Sequence, residues 1–218
     1  MNKRFLIAIF LLLLFSTYNI EKKFELKDFK IKLITIENNE IIQEGVIKKN
    51  LSFLYNQNLF LIKKNEVKNK MNEIDFIDSF KIKKIYPNEI RIKVFEKTPI
   101  VILQNKKEKK YYTSKDDVID FINLKQFQNL PTVFGDKESF KVFYENLKST
   151  KFPLNEIKAF YLFESKRWDL ITYENQTLKL PIKNYNKSLK NFHEIKDQEN
   201  FKKYKIFDYR INNQLILK

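Results

Sequence analysis

The sequence has no cysteine, two glycines and one histidine in 218 residues. Each scarcity removes a class of chemistry. Without cysteine there can be no disulfide, thiolate metal site or cysteine nucleophile. Gly45 and Gly135 stand far apart, and a phosphate-cradling loop needs clustered glycines for the backbone to approach the phosphates. A serine hydrolase would have to be built on His193, with no Gly-x-Ser-x-Gly elbow to accompany it. Asp116-Asp117 comes nearest to a metal-ligand set, yet adjacent carboxylates there read as a turn. A carboxylate pair for glycoside cleavage needs only proximity in the fold and stays open. The expectation is a non-enzyme with no catalytic, cofactor-binding or metal residues.

Charge is abundant and one-sided. There are 42 Lys and Arg against 27 Asp and Glu, a formal net charge of +15. A basic chain attracts polyanions such as nucleic acid, anionic lipid or cell-wall polymer. The richness in Lys, Asn, Ile and Phe also fits the codon bias of an AT-rich genome, and that plainer explanation is preferred. Hydrophobic residues make up 43% of the chain, enough for a core.

The N-terminus "MNKRFLIAIFLLLLFSTYNI" sets Lys3 and Arg4 before an apolar run from Phe5 to Phe15. Taken to Ile20, a helix of this stretch is roughly 24 Å long, somewhat short of the roughly 30 Å hydrocarbon core. A cleaved signal peptide should end in small residues, whereas this run ends in Leu and Phe. A retained signal anchor over residues 5–20 fits better, with Tyr18 at the interface and Lys22 and Lys23 snorkelling. The short cationic tail, residues 1–4, is then cytoplasmic, and the remainder lies on the far side of an inner membrane. That placement disfavours nucleic acid as a partner.

The rest reads in two blocks. Residues 29–37, "FKIKLITIE", alternate and are β-branched, so they predict a strand. Ile47, Leu51, Leu54 and Tyr55 then form one helical stripe, and Val67, Met71 and Ile74 a second, with Asn65 as its N-cap. "FKIKKIYPNEIRIKVFEKTPIVIL" follows: a strand whose phase slips at Lys83-Lys84, a turn at Pro87-Asn88, and a strand with Ile90, Ile92 and Val94 on one face. The lysines fall on the solvent face of this hairpin. The order is β-α-α-β-β.

That order and wording resemble a POTRA domain, through Tyr86-Pro87-Asn88, Ile90, Ile92, Val94, Glu96, Lys97 and Pro99, and through the upstream "NLFLI" of residues 58–62. With a single anchor and about a hundred further residues, the chain resembles the FtsQ/DivIB family of division proteins. The second block carries the likeness on: "KKYYTSKDDVIDF" with Asp117 where a turn glycine is usual, "LPTVFGD" ending near Gly135, and "KRWDLITYENQTLKLP" with Asn175 in place of another turn glycine. "NKSLKNFHEI" supplies a helix with Leu189 and Phe192, and "YKIFDYRINNQLILK" two closing strands. The resemblance implies an α+β protein with an N-terminal transmembrane helix. A POTRA domain would span residues 24–98, and a mainly antiparallel β-domain with flanking helices residues 99–218.

It also implies a function. A divisome scaffold of this kind, single-pass in the inner membrane at the division site, would recruit FtsB, with FtsL, by strand addition to its β-domain, and so coordinate septal wall synthases. The residues so implied are Lys166, Arg167, Lys205, Ile206, Phe207, Asp208, Tyr209, Arg210, Gln214 and Ile216. An internal Asp208–Arg210 ion pair is the competing role for those two, and Trp168 is expected in the core. The rival function is a secreted periplasmic protein that binds an anionic polymer, using the basic-aromatic run "NKKEKKYY" of residues 105–112.

Overall fold

The structure, a computed structural model, describes residues 3–16, 29–106, 108–211 and 213–218. Helix α1 (Lys3–Ser16) is apolar from Phe5 to Phe15. Its 14 residues span about 21 Å, and no helix among the described residues is long and apolar enough to cross a membrane. Positions 17–20 of the expected anchor, with Tyr18, Lys22 and Lys23, lie outside the described residues. Contacts divide the chain into two units at Phe95/Glu96, with Asp75–Asp78 belonging to the second.

In the first unit β1 (Leu33–Glu37) runs parallel to β3 (Glu89–Glu96), and β2 (Ile77–Ile85) lies on the other side of β3. Their alternation turns Ile34, Ile36, Ile90, Ile92 and Val94 into the core. Helices α2 (Glu44–Asn50) and α3 (Lys64–Asn72) contribute Ile47, Val67 and Met71 to it, and Leu51 and Leu54 follow α2. Tyr55 departs from the expected stripe and is exposed. The helix ends at Asn50 and the chain tightens into a 3₁₀ turn at Ser52–Leu54, whose three-residue period swings the next side chain off the face. Asn65 is not the cap of α3 either. The chain enters extended at Lys63, which occupies the cap position without a side-chain bond, and Asn65 falls inside the first turn. Lys81 and Lys83 are exposed as the alternation predicts, and the Nζ groups of Lys81 and Lys93 lie 5.6 and 5.9 Å from the Phe95 ring.

The second unit is built on one sheet. Its strands are β4 (Pro99–Asn105), β5 (Glu108–Thr113), β6 (Val118–Asp120), β7 (Thr132–Phe134), β8 (Ile157–Leu162), β9 (Trp168–Thr172), β10 (Thr177–Lys179), β11 (Ile206–Asp208) and β12 (Ile216–Leu217). They are ordered β12-β11-β10-β9-β8-β7-β4-β5-β6. Pairing is mostly antiparallel, with parallel contacts at β4–β7, β7–β8 and β10–β11. Helices α4 (Lys137–Thr150) and α5 (Tyr185–Ile195) bury Phe140, Phe143, Tyr144, Leu147, Leu189 and Phe192 in one cluster with Val133, Phe160, Leu170, Leu178 and Phe207 from the strands. The sheet residues in that cluster share one face. α4 starts at Asp136, whose carboxylate accepts from the Ser139 N–H at 2.7 Å. A short α6 (Glu199–Lys202) precedes β11.

Trp168 is a core residue, stacked on Phe143 at 4.8 Å and edge-on to Phe140 at 6.2 Å. The turn positions expected to replace glycine are half right. Asn175 is left-handed at φ 61°, whereas in the Asp116-Asp117 turn it is Asp116, at φ 66°, that takes this conformation. There the Tyr112 hydroxyl donates to Asp116 at 2.6 Å, and asparagine and aspartate tolerate the left-handed region better than most residues.

Candidate partner-binding edge

Strand β12 closes the sheet on one side. It pairs antiparallel with β11, Phe207 opposite Leu217 and Asp208 opposite Ile216. Ile206 and Lys218 exchange both backbone bonds, 2.9 Å from the Ile206 N–H and 3.1 Å from the Lys218 N–H. The antiparallel alternation then turns the N–H and C=O of Leu217 away from β11. No strand lies beyond β12 among the described residues. This is one of the sheet's two open edges, the other being β6.

Strand β11 is therefore not an edge. It is held on its other side by parallel β10, Phe207 opposite Leu178 and Asp208 opposite Lys179. This corrects the expectation that the segment from Lys205 to Tyr209 presents itself to a partner. Phe207 is fully buried and packs edge-on against Phe192 at 4.9 Å. Asp208 and Tyr209 are also buried, and the Tyr209 hydroxyl donates to Asn191 Oδ1 at 2.7 Å. Burial pushes the Tyr209 hydroxyl well above the usual phenol range. These three side chains hold β11 in the sheet. Lys205, Arg210, Gln214 and Ile216 are exposed, and Ile206 is half-buried.

The face opposite the helices carries a charged row. Register sets Asp169 of β9 beside Lys179 of β10, and Lys179 beside Asp208 of β11, with Ile216 of β12 next in line. The backbones that carry the two outer carboxylates are two strand spacings, about 10 Å, apart. Arg210 clamps Asp208 through Nε and Nη2, at 2.8 Å to Oδ1 and 2.6 Å to Oδ2. Those bonds hold the Asp208 carboxyl below its ordinary range. Asp208 and Arg210 thus form the internal ion pair, in which the arginine side chain remains 45% exposed while the carboxylate is buried. Arg167 donates to Asp169 at 3.1 Å and lies 4.3 Å above the Phe163 ring. Burial raises the Asp169 carboxyl in spite of that bond.

Lys166 sits in the β8–β9 turn at φ 62° and is exposed. The structure thus brings Arg167, Lys179 and Arg210 to one surface around two buried carboxylates, beside the open edge. Lys179 escaped the sequence reading. Its position follows only from the β10 register, which a three-residue strand does not announce. A groove of about 480 Å³ also adjoins the edge, with Lys183, Lys187, Asn191 and Gln214 among its lining residues.

Other candidates fare differently. Tyr111 and Tyr112 of the basic-aromatic run are buried, their hydroxyls bonded to Ile122 O and Asp116 Oδ1 at 2.6 Å each. They cannot stack on a polymer. His193 is exposed on α5, its ring 6.1 Å from that of Phe152. Among the described residues no three His, Asp or Glu side chains come together as a metal site.

The chain's likeness to known proteins agrees with this architecture. Residues 29–97 match the model of the POTRA domain, FtsQ-type. The cell division protein FtsQ of Rickettsia conorii is 27% identical over 210 residues, covering 92% of this chain and 76% of the relative. FtsQ of Rhizobium meliloti is 24% identical over 157 residues, 71% of this chain and 51% of the relative. The cell division protein DivIB of Clostridium tetani is 26% identical over 137 residues, 56% of this chain and 51% of the relative. Residues 29–97 thus form an FtsQ-type POTRA domain, and over most of its length the chain is similar to cell division proteins of the FtsQ name.

Proposed function

We propose that the protein is a non-enzymatic divisome scaffold, anchored in the inner membrane through α1 and the residues after it, that captures FtsB, paired with FtsL, on the far side of that membrane. The observation that carries this reading is the open outer edge of β12. A partner segment laid along it gains main-chain bonds from the outward groups of Leu217, and its side chains meet Ile216 on one face. Arg167, Lys179 and Arg210 supply cations on that same face, so a partner with a carboxylate at the matching position is favoured over one without. The scaffold performs no bond-making step. It positions a partner complex, and through it the septal wall synthases, at the division site.

The polymer-binding alternative loses its best segment with the burial of Tyr111 and Tyr112. The test is capture of the extracytoplasmic part of FtsB by the full chain in detergent, beside the variant Leu217→Pro. Proline removes the outward N–H and leaves the Ile206–Lys218 pair intact. Capture by the wild type and its loss in the variant, with an unchanged circular dichroism spectrum, is the expected result. Equal capture by both would rule out pairing at this edge.

A further inference from the structure

The first unit carries an apolar corner that its core does not use. Phe60, Leu61 and Tyr86 are 52%, 76% and 55% exposed, and Phe29 stands among them half-buried. The Phe60 ring lies 4.9 Å from that of Phe29 and stacks on Tyr86 at 5.2 Å. Isolated exposed apolar residues are ordinary, whereas adjoining ones with ordered rings mark a binding surface.

This corner is built. The Leu59 N–H donates to Phe29 O at 2.8 Å, and the Phe60 N–H to Asn58 Oδ1 at 2.9 Å. The Leu61 N–H closes the turn on Asn58 O at 2.9 Å. The "NLFLI" connection is thereby fastened to the strand entrance, with Phe60 and Leu61 facing outward.

Cations surround it. Lys84 brings its Nζ to 3.4 Å from Phe60 O. Lys30 bridges to Asn58, Lys32 donates its backbone N–H to Asn88 O just beyond Tyr86, and both side chains are exposed. Two apolar rings and a tyrosine with a polar tip, beside lysines on long apolar stems, suit the lipid–water interface, where the rings enter the headgroup layer and the ammoniums meet lipid phosphates. Chain length points the same way. Phe29 is 13 residues beyond Ser16, the last residue of α1. That tether reaches no more than about 45 Å, which holds the corner at high effective concentration near whatever surface α1 enters.

We propose that the corner formed by Phe29, Phe60, Leu61 and Tyr86, with Lys30, Lys32 and Lys84 around it, docks on the anionic lipid–water interface of the membrane that α1 anchors in. This rests on the anchor reading above and adds the face of the POTRA domain that meets the bilayer. Docking fixes which face of the domain meets the bilayer.

The cysteine-free chain permits a direct test by single labelling. Lys63→Cys, two residues past Leu61, would carry a fluorophore beside the corner. Lys93→Cys would carry it four residues along β3 from Glu89, about 13 Å away. The full chain is reconstituted into phosphatidylcholine–phosphatidylglycerol vesicles of about three to one that contain a headgroup-quencher lipid, and flotation is measured on the same samples. The expected result is several-fold stronger quenching at Lys63 than at Lys93. It should be lost in Phe60→Ser/Tyr86→Ser and weakened by Lys30→Glu/Lys32→Glu/Lys84→Glu. A chain that floats with both labels quenched alike overturns the docking and leaves the anchor standing. A chain that does not float overturns both.

Discussion

Replacing Gly135 by alanine sets two effects against each other, and the structure decides the sign. Gly135 has no left-handed φ, so alanine fits its backbone and should gain about 0.4–1 kcal/mol by restricting the unfolded chain. A Cβ there, however, would lie 2.9 Å from Leu162 Cβ and 3.1 Å from Trp168 Cη2. Neither neighbour can step aside cheaply. Leu162 and Trp168 are register partners across β8 and β9, and the indole is stacked on Phe143. Overpacking of this kind costs about 1–3 kcal/mol, so the net is a loss of about 0.5–2 kcal/mol. For a unit of this size that is a fall in Tm of roughly 2–10 °C. Trp168 is the only tryptophan, so its fluorescence during a thermal melt reports the second unit alone. Gly45→Ala is the control: it meets nothing within 4 Å and should stabilise the first unit by about 0.5–1 kcal/mol, seen by circular dichroism. A Gly135→Ala melt at or above the wild-type temperature would refute the reasoning.

Two further outcomes concern the charged row. Arg210→Ala removes the clamp from Asp208 and should cost about 1–2 kcal/mol at neutral pH, measured by urea unfolding. Because the folded Asp208 pKa is depressed, the clamp's contribution is present above the unfolded value near 4 and is lost as pH falls through the lower folded value. The gap between wild type and variant should therefore close in acid. Asp169 has the opposite sign, since burial raises its folded pKa. Asp169→Asn should leave stability unchanged or raise it by up to about 1 kcal/mol at neutral pH, and any gain should vanish below the unfolded value, where the wild-type carboxyl is protonated in both states.

Much of the fold was legible because long alternating runs announce themselves. Ile90, Ile92 and Val94 lie on one buried face, as their period-two spacing requires, and Val67 and Met71 on one helical face. Short strands were less legible. β10, β11 and β12 have three, three and two residues, too few for periodicity, and their order follows from tertiary pairing. That is why β11 was expected at the edge where β12 lies, and why Lys179 went unseen. Turn chemistry was legible in kind and less so in position. Among the described residues nine non-glycine positions have positive φ, five of them Asn38, Asn56, Asn175, Asn184 and Asn213. In a chain with two glycines, asparagine takes five of these positions, because its short polar side chain can bond locally where Cβ is crowded, while Lys106, Lys151 and Lys166 take three more. The choice between Asp116 and Asp117 then depends on which carboxylate the Tyr112 hydroxyl can reach.

The charge of +15 is better understood by its partners than by its sum. Lys48, Lys63, Lys70 and Lys148 pair with glutamates three or four residues away, on a helix or at its cap positions. Such exposed pairs contribute little to stability and keep those helix faces soluble. Arg167 and Arg210 instead sit on buried carboxylates, where register fixes their positions and part of each arginine side chain stays in water. A two-residue strand offers a partner few main-chain bonds, and its shortness also limits indiscriminate edge-to-edge pairing. Affinity at such an edge has to come largely from side chains flanking it, and the side chains that flank it here are two clamped arginines and a lysine between them. In the proposed docking the fixed cations choose the partner, and the strand aligns it.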